Sequence, residues 1–149
     1  MKKYLIPLFL VALIVACNKD KFETKPTLKY KSSNTDVIPL SGNLQVILKF
    51  TDKEGDLDSV FVIRQRLNKK NPVPQKLLPF VLPEFGKETK GEILLNLSQS
   101  GSLSLQLTPI PIPGQNKFEP DTLRLKFVAK DKGNNKSDTA SKDFIVLRN

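Results

Sequence analysis

The chain has 149 residues, with 24 lysines and arginines against 15 aspartates and glutamates, one cysteine, and neither histidine nor tryptophan. Without histidine, Ser-His-Asp, Cys-His and histidine–metal chemistry are excluded, and a lone cysteine excludes an internal disulfide, so the fold must rest on its core. The net charge of +9 is interspersed along the chain, which reads as a solvated lysine-rich surface rather than a nucleic-acid footprint.

Lys2 and Lys3 precede an almost wholly apolar run from Tyr4 to Ala16. The run is shorter than the roughly 20 residues of a bilayer-spanning helix and has the form of a secretory signal core. It ends in Ile14-Val15-Ala16-Cys17, which resembles a bacterial lipobox: two branched residues, a small one, then the cysteine. The resemblance implies that residues 1–16 are a cleaved signal peptide and that Cys17 carries diacylglycerol and palmitate. Stable anchoring takes two acyl chains or more, each buried CH₂ contributing about 0.8 kcal/mol. Removing residues 1–16 leaves 22 basic and 15 acidic side chains, a net charge of +7. Export further disfavours nucleic acid as a partner.

Residues 17–27 are polar, carry Pro26 and show no period, so they read as the lipidated cysteine and a flexible tether. Within them, Asn18-Lys19-Asp20-Lys21-Phe22-Glu23 resembles the lysine-plus-acid tags of surface-exposed Bacteroidota lipoproteins, with Lys21 interrupting the acidic run. That implies an outer-membrane location, the cell surface being favoured over the periplasmic face.

From residue 28 to 149 the pattern predicts one all-β domain. A short first strand spans Leu28 to Lys31. "NLQVILKF" then sets Leu44, Val46, Leu48 and Phe50 on one face. "SVFVIRQRL" and "GEILLNLS" are rich in β-formers, "SLSLQL" alternates Leu103, Leu105 and Leu107 with polar residues, and "TLRLKFVAK" alternates Leu123, Leu125, Phe127 and Ala129. "KDFIVL" closes the chain. Period two with polar residues between marks half-buried antiparallel strands. Seven such strands predict an antiparallel two-sheet sandwich of the immunoglobulin or fibronectin III kind.

Two stretches break the alternation. "NPVPQKLLPFVLPEFGK" sets four prolines among Leu78, Phe80, Leu82 and Phe85, and "TPIPIPGQ" alternates proline with Ile110 and Ile112. Proline cannot donate to a ladder, so both belong at edges or in loops. They read either as edge protection or as an apolar surface for an envelope protein partner.

The oxygen-rich chemistry lies in two loops. "TDKEGDLDS" carries Asp52, Glu54, Asp56 and Asp58 around Gly55, and "KDKGNNKSD" carries Asp131, Asn134, Asn135 and Asp138 around Gly133. If the strands before them are the second and sixth of the sandwich, both loops emerge at one end. Their oxygens would then offer much of the six- to eight-oxygen shell that calcium takes. The competing reading is ordinary turn chemistry, with exposed ion pairs between loops worth about 0–1 kcal/mol each. "LKFTDKEGDLDSV" and "FVAKDKGNNKSDT" together resemble small Bacteroidota envelope lipoproteins with one immunoglobulin-like or cadherin-like domain. That resemblance implies a role in adhesion, assembly or binding and carries no shared catalytic residue.

Nothing in the sequence sets a catalytic constellation, because the acids fall in turns and at strand ends. The expectation is a non-enzymatic binding or structural accessory module without a cofactor. A calcium- or glycan-binding adhesion module is the alternative. Glycan sites generally stack sugars on exposed aromatics, and the mature chain has Tyr30 alone beside its phenylalanines.

Overall fold

The computed structural model describes residues 25–149 apart from Asn71, Leu78 and Phe85. Cys17, the expected signal peptide and residues 18–24 of the expected tether lie outside the described residues.

The fold is all-β, and its two sheets enclose one core. The first sheet is three-stranded and antiparallel: β1 (Thr27–Ser33) and β7 (Lys90–Ser98) flank β3 (Asn43–Thr51). The second orders β2 (Val37–Ile38), β9 (Ala140–Val146), β8 (Asp121–Asp131), β4 (Leu57–Arg66) and β5 (Gln75–Lys76). β6 (Phe80–Val81) also pairs with β4. The sheets do not close into a barrel.

The alternating leucines and valines explain the layering. Leu44, Val46, Leu48 and Phe50 of β3 meet Leu123, Leu125, Phe127 and Ala129 of β8 in the same buried cluster, with Ile93, Leu95 and Leu97 of β7 and Phe144 and Val146 of β9. Each such side chain, fully buried, contributes about 1.5–3 kcal/mol through removal of apolar surface from water. β3 is paired with β7 along its whole length and with β1 from Val46 to Thr51.

Three expectations need correction. First, the described residues contain nine strand segments, six of them the long strands expected and three of only two residues. Second, the pairing is not wholly antiparallel, because β2 runs parallel to β9, Val37 opposite Ile145.

Third, "SLSLQL" is not a strand. Residues 99–103 form a single π-helical turn, and Gln106 turns the chain back at φ 59. The Ser98 hydroxyl accepts from the Gly101 amide at 3.1 Å. Arg64 donates to the carbonyls of Ser102 at 2.6 Å, Leu103 at 2.8 Å and Leu105 at 2.8 Å, taking the acceptors that a neighbouring strand would have used. Leu103 alone of the three leucines is fully buried.

The proline-rich stretch supplies the short edge segments β5 and β6 along β4. Phe80 and Leu82, expected on a partner surface, are partly buried and pack against the core, as the β6 register turns them inward. Ile110 and Ile112 are half-buried beside an isolated bridge between Pro111 and Phe118. Leu78 and Phe85 lie outside the described residues. Among the described residues, no helix is long and apolar enough to cross a membrane.

Candidate cation site

The end of β3 and the end of β8 place two acid-bearing loops side by side. The β4–β8 register sets Leu57 opposite Asp131, and the Lys132 amide donates to the Asp56 carbonyl at 3.1 Å, tying one loop to the other.

The first loop is held from below by the Asp52 amide, which donates to the Thr89 carbonyl at 2.8 Å. Its turn depends on Gly55, at φ +67, whose Cα backs onto the Lys87 backbone so closely that a Cβ would lie 2.7 Å from the Lys87 carbonyl carbon. Only glycine combines that conformation with that approach. The turn brings the Asp56 amide to Asp52 Oδ2, to which it donates at 3.0 Å.

The second loop closes on Asn135. Its amide donates to Asp131 Oδ1 at 2.7 Å and its side-chain nitrogen to Oδ2 at 2.9 Å, fixing the Asp131 carboxylate on both oxygens. Asn134 adopts φ 67, and its amide donates to the Asp131 carbonyl at 3.2 Å.

The result is a cluster of three carboxylates. Asp52, Asp56 and Asp131 each bring an oxygen within 4.8 Å of the others. Asp52 is 1% exposed and Asp131 fully buried. Oδ1 of Asp52 and Oδ1 of Asp56 are both buried without a hydrogen-bond partner. Unit charges at such a separation repel by about 3 kcal/mol per pair at an effective dielectric of about 20. Burial, and then the charges of Asp52 and Asp131, push the Asp56 carboxyl above its ordinary value. Lys130 pairs with Asp58 at 3.7 Å and Lys132 with Glu84 at 2.9 Å, Lys132 also lying within the field of Asp56 and Asp58. A cavity of about 270 Å³ opens beside Asp56, walled by Leu82, Pro83 and Glu84 from the proline-rich stretch.

Of the seven residues expected to offer oxygens, the structure therefore brings together Asp52, Asp56 and Asp131. Glu54 and Asn134 are exposed on their loops. Asp58 accepts from the Ser59 hydroxyl at 3.0 Å and lines the cavity beside Asp56 without joining the three-carboxylate cluster, and Asp138 pairs with Lys25 at 2.5 Å. Asn135, not Asn134, is the amide that organises the site. The signal for it is its distance from Asp131, the same four residues that separate Asp52 from Asp56, each pair joined by an amide donating to an aspartate oxygen. Hard cations take carboxylate, carbonyl and water oxygens, and this donor set fits that chemistry.

The chain matches no protein-family model and no curated protein sequence. Among solved structures it is similar to the sporulation control protein Spo0M of Bacillus subtilis, with a TM-score of 0.50 and 8% identity over 84% of this chain and 50% of that one. It is also similar to a β-glucosidase of Kluyveromyces marxianus, with a TM-score of 0.50 and 13% identity over 84% of this chain and 14% of that one. A Niemann-Pick type C2 protein of the Japanese carpenter ant aligns with a TM-score of 0.47 and 13% identity, covering 80% of this chain and 92% of that one. The chain thus spans half of Spo0M and a far smaller share of the glucosidase, and at these identities the likeness concerns the fold alone.

Proposed function

We propose that the chain is a non-catalytic accessory module of the bacterial outer membrane, lipid-anchored through Cys17. Its immunoglobulin-like sandwich is completed at one end by a calcium ion held between Asp52, Asp56 and Asp131. The observation that carries the cation reading is the buried, unpartnered Oδ1 of Asp52 beside its counterpart on Asp56. A buried anion without a donor is costly, and a divalent cation removes that cost and the mutual repulsion together.

The immunoglobulin-like reading is supported by the strand order. After β1 pairs with β3, the chain passes to the other sheet and β2 joins β9, so the opening strand is divided between the two layers. The anchor rests on the Ile14-Val15-Ala16-Cys17 sequence. In this arrangement the lipid fixes the domain at the cell surface, residues 18–24 lend it reach, and the cation stiffens the loop end presented to a partner.

The test uses the mature lipidated protein in detergent, melted after chelation and again with calcium or magnesium. Calcium at a hundredfold excess over its Kd stabilises by about 2.7 kcal/mol, roughly 10 °C in Tm for a domain of this size. A Tm indifferent to calcium removes the cation from the reading. Labelled palmitate should enter the wild-type chain and not Cys17→Ala, and labelling of that variant removes the anchor.

A second reading, direct docking to an envelope protein, is favoured by Val37 and Ile145. They lie opposite each other in register on β2 and β9 and are 45% and 41% exposed. Cross-linking in intact cells, with recovery of one envelope protein in near-equal amount through this edge, supports it.

A further inference from the structure

The opposite end of the β4–β8 ladder carries a second polar cluster, of the other sign. Alternation along β4 places Arg64 and Arg66 on the same inward face as Val60 and Val62, and the arginines are 2% and 6% exposed. Among the described residues, one carboxylate faces them. Fully buried Asp121 pairs with Arg66 through one oxygen and with Arg148 through the other. Three guanidiniums therefore share a single negative charge.

Among the described residues, Arg64 pairs with no carboxylate directly. Its terminal nitrogens donate to the Ser102, Leu103 and Leu105 carbonyls and to Gln75 Oε1, while its Nε is buried without a hydrogen-bond partner. Anchoring those carbonyls explains the donors but not the excess of positive charge over Asp121 in this cluster. Burial and then the neighbouring Arg148 charge press against the charged form of Arg64, with Asp121 opposing them in part.

A cleft of about 370 Å³ opens onto this cluster, with Arg64 and Arg66 in its lining and the exposed Lys69 beside them. Gln75 and Thr108 add polar atoms, Val73, Pro109 and Ile110 form apolar walls, and among the described residues no aspartate or glutamate lines it. Its volume lies in the range of small-molecule sites. Arg66 Nη1 donates to the Thr108 carbonyl at 2.7 Å, so the guanidinium is held in place at the cleft. Lys69 makes no ion pair among the described residues.

We propose that this cleft binds the carboxylate of a small organic acid or acidic sugar. The carboxylate meets the field of Arg64 and Arg66 and the ammonium of Lys69, and the ligand body lies against Ile110 and Val73. The terminal arginine nitrogens are held by protein acceptors, so the arginines act through their charge while the Lys69 ammonium makes the direct contact, and the apolar walls favour an organic anion over a bare inorganic one. The site is independent of the cation cluster, which lies at the far end of the same two strands.

The experiment is a titration of the mature lipidated protein in detergent, at low salt, with glucuronate, glucose and inorganic sulfate as separate probes. Backbone amide shifts of Lys69, Gln75 and Thr108 report binding at the cleft. Glucuronate should shift all three, glucose should not, and sulfate should do so at least fivefold more weakly. Lys69→Glu, an exposed change that leaves the core untouched, should weaken glucuronate at least fivefold while amides distant from residue 69 keep their wild-type positions. The proposal is overturned if the cleft amides do not respond to glucuronate, if glucose shifts them equally, or if sulfate binds as well. It is likewise overturned if Lys69→Glu binds glucuronate unchanged.

Discussion

Asp52 Oδ2 accepts the Asp56 amide at 3.0 Å, while Oδ1 of both residues is buried without a hydrogen-bond partner among the described residues. The loop thus satisfies one face of its carboxylate pair through the backbone and leaves the other face charged. Asn135 performs the backbone role for Asp131 from the neighbouring loop.

Replacing Asp52 by Asn keeps an acceptor for the Asp56 amide and removes one of three like charges. Without calcium, Asp52→Asn should melt higher than wild type, by on the order of 1 kcal/mol or a few degrees. Its calcium response should vanish. Thermal melts with and without chelator check both, and a variant that melts lower yet still responds to calcium contradicts the site.

The pH dependence has a definite sign. Asp56 titrates above its ordinary value of 3.8 because burial and the Asp52 and Asp131 charges oppose ionisation. The folded state then holds that proton more tightly than the unfolded state. Its stabilising contribution is fully present below the ordinary value and is lost as pH rises through the raised one. In calcium-free buffer, the stability advantage of Asp56→Asn over wild type should therefore grow from strongly acidic pH towards neutrality. Paired urea melts across that range measure the difference. An advantage that shrinks with rising pH would reverse the assignment.

Gly55→Ala tests the loop's backbone. The substitution forces a side chain into φ +67 and against Lys87, at a cost of about 1–3 kcal/mol from strain. Urea denaturation should show that loss. Gly114→Ala, at φ +74 with open space around it, should cost less.

Two aspartates, Asp121 and Asp143, separate buried from exposed ion pairing. Asp121→Ala strands Arg66 and Arg148 in the interior and should cost about 3–5 kcal/mol. Asp143→Ala breaks the exposed contact from Arg124 Nε, 2.7 Å long with both side chains more than 40% exposed, and should cost under about 1 kcal/mol. Equal losses in urea melts would contradict the burial of Asp121.

Alternation made most of the core legible. Leu44, Val46, Leu48 and Phe50, and Leu123, Leu125, Phe127 and Ala129, were expected on one face and are all buried. The same rule failed at residues 102–107. Period two states which side chains share a face, not whether a partner strand is present, and here Arg64 holds the carbonyls instead. Arg64 and Arg66 themselves follow the alternation, yet arginines on a core face read as solvent-facing until their partners are known.

Strand periodicity, the clustering of acids at two turns, the absence of histidine and the segment ending at Cys17 are local properties, and the sequence by itself determined them. Which of the seven candidate oxygen donors are buried together was decided by tertiary structure alone. The β4–β8 register sets Leu57 against Asp131, and loop closure brings Asp52, Asp56 and Asp131 together while Glu54, Asp58, Asn134 and Asp138 stay out of the cluster. Convergence of side chains far apart in the chain depends on strand pairing and desolvation, and neither is written in the spacing of either loop.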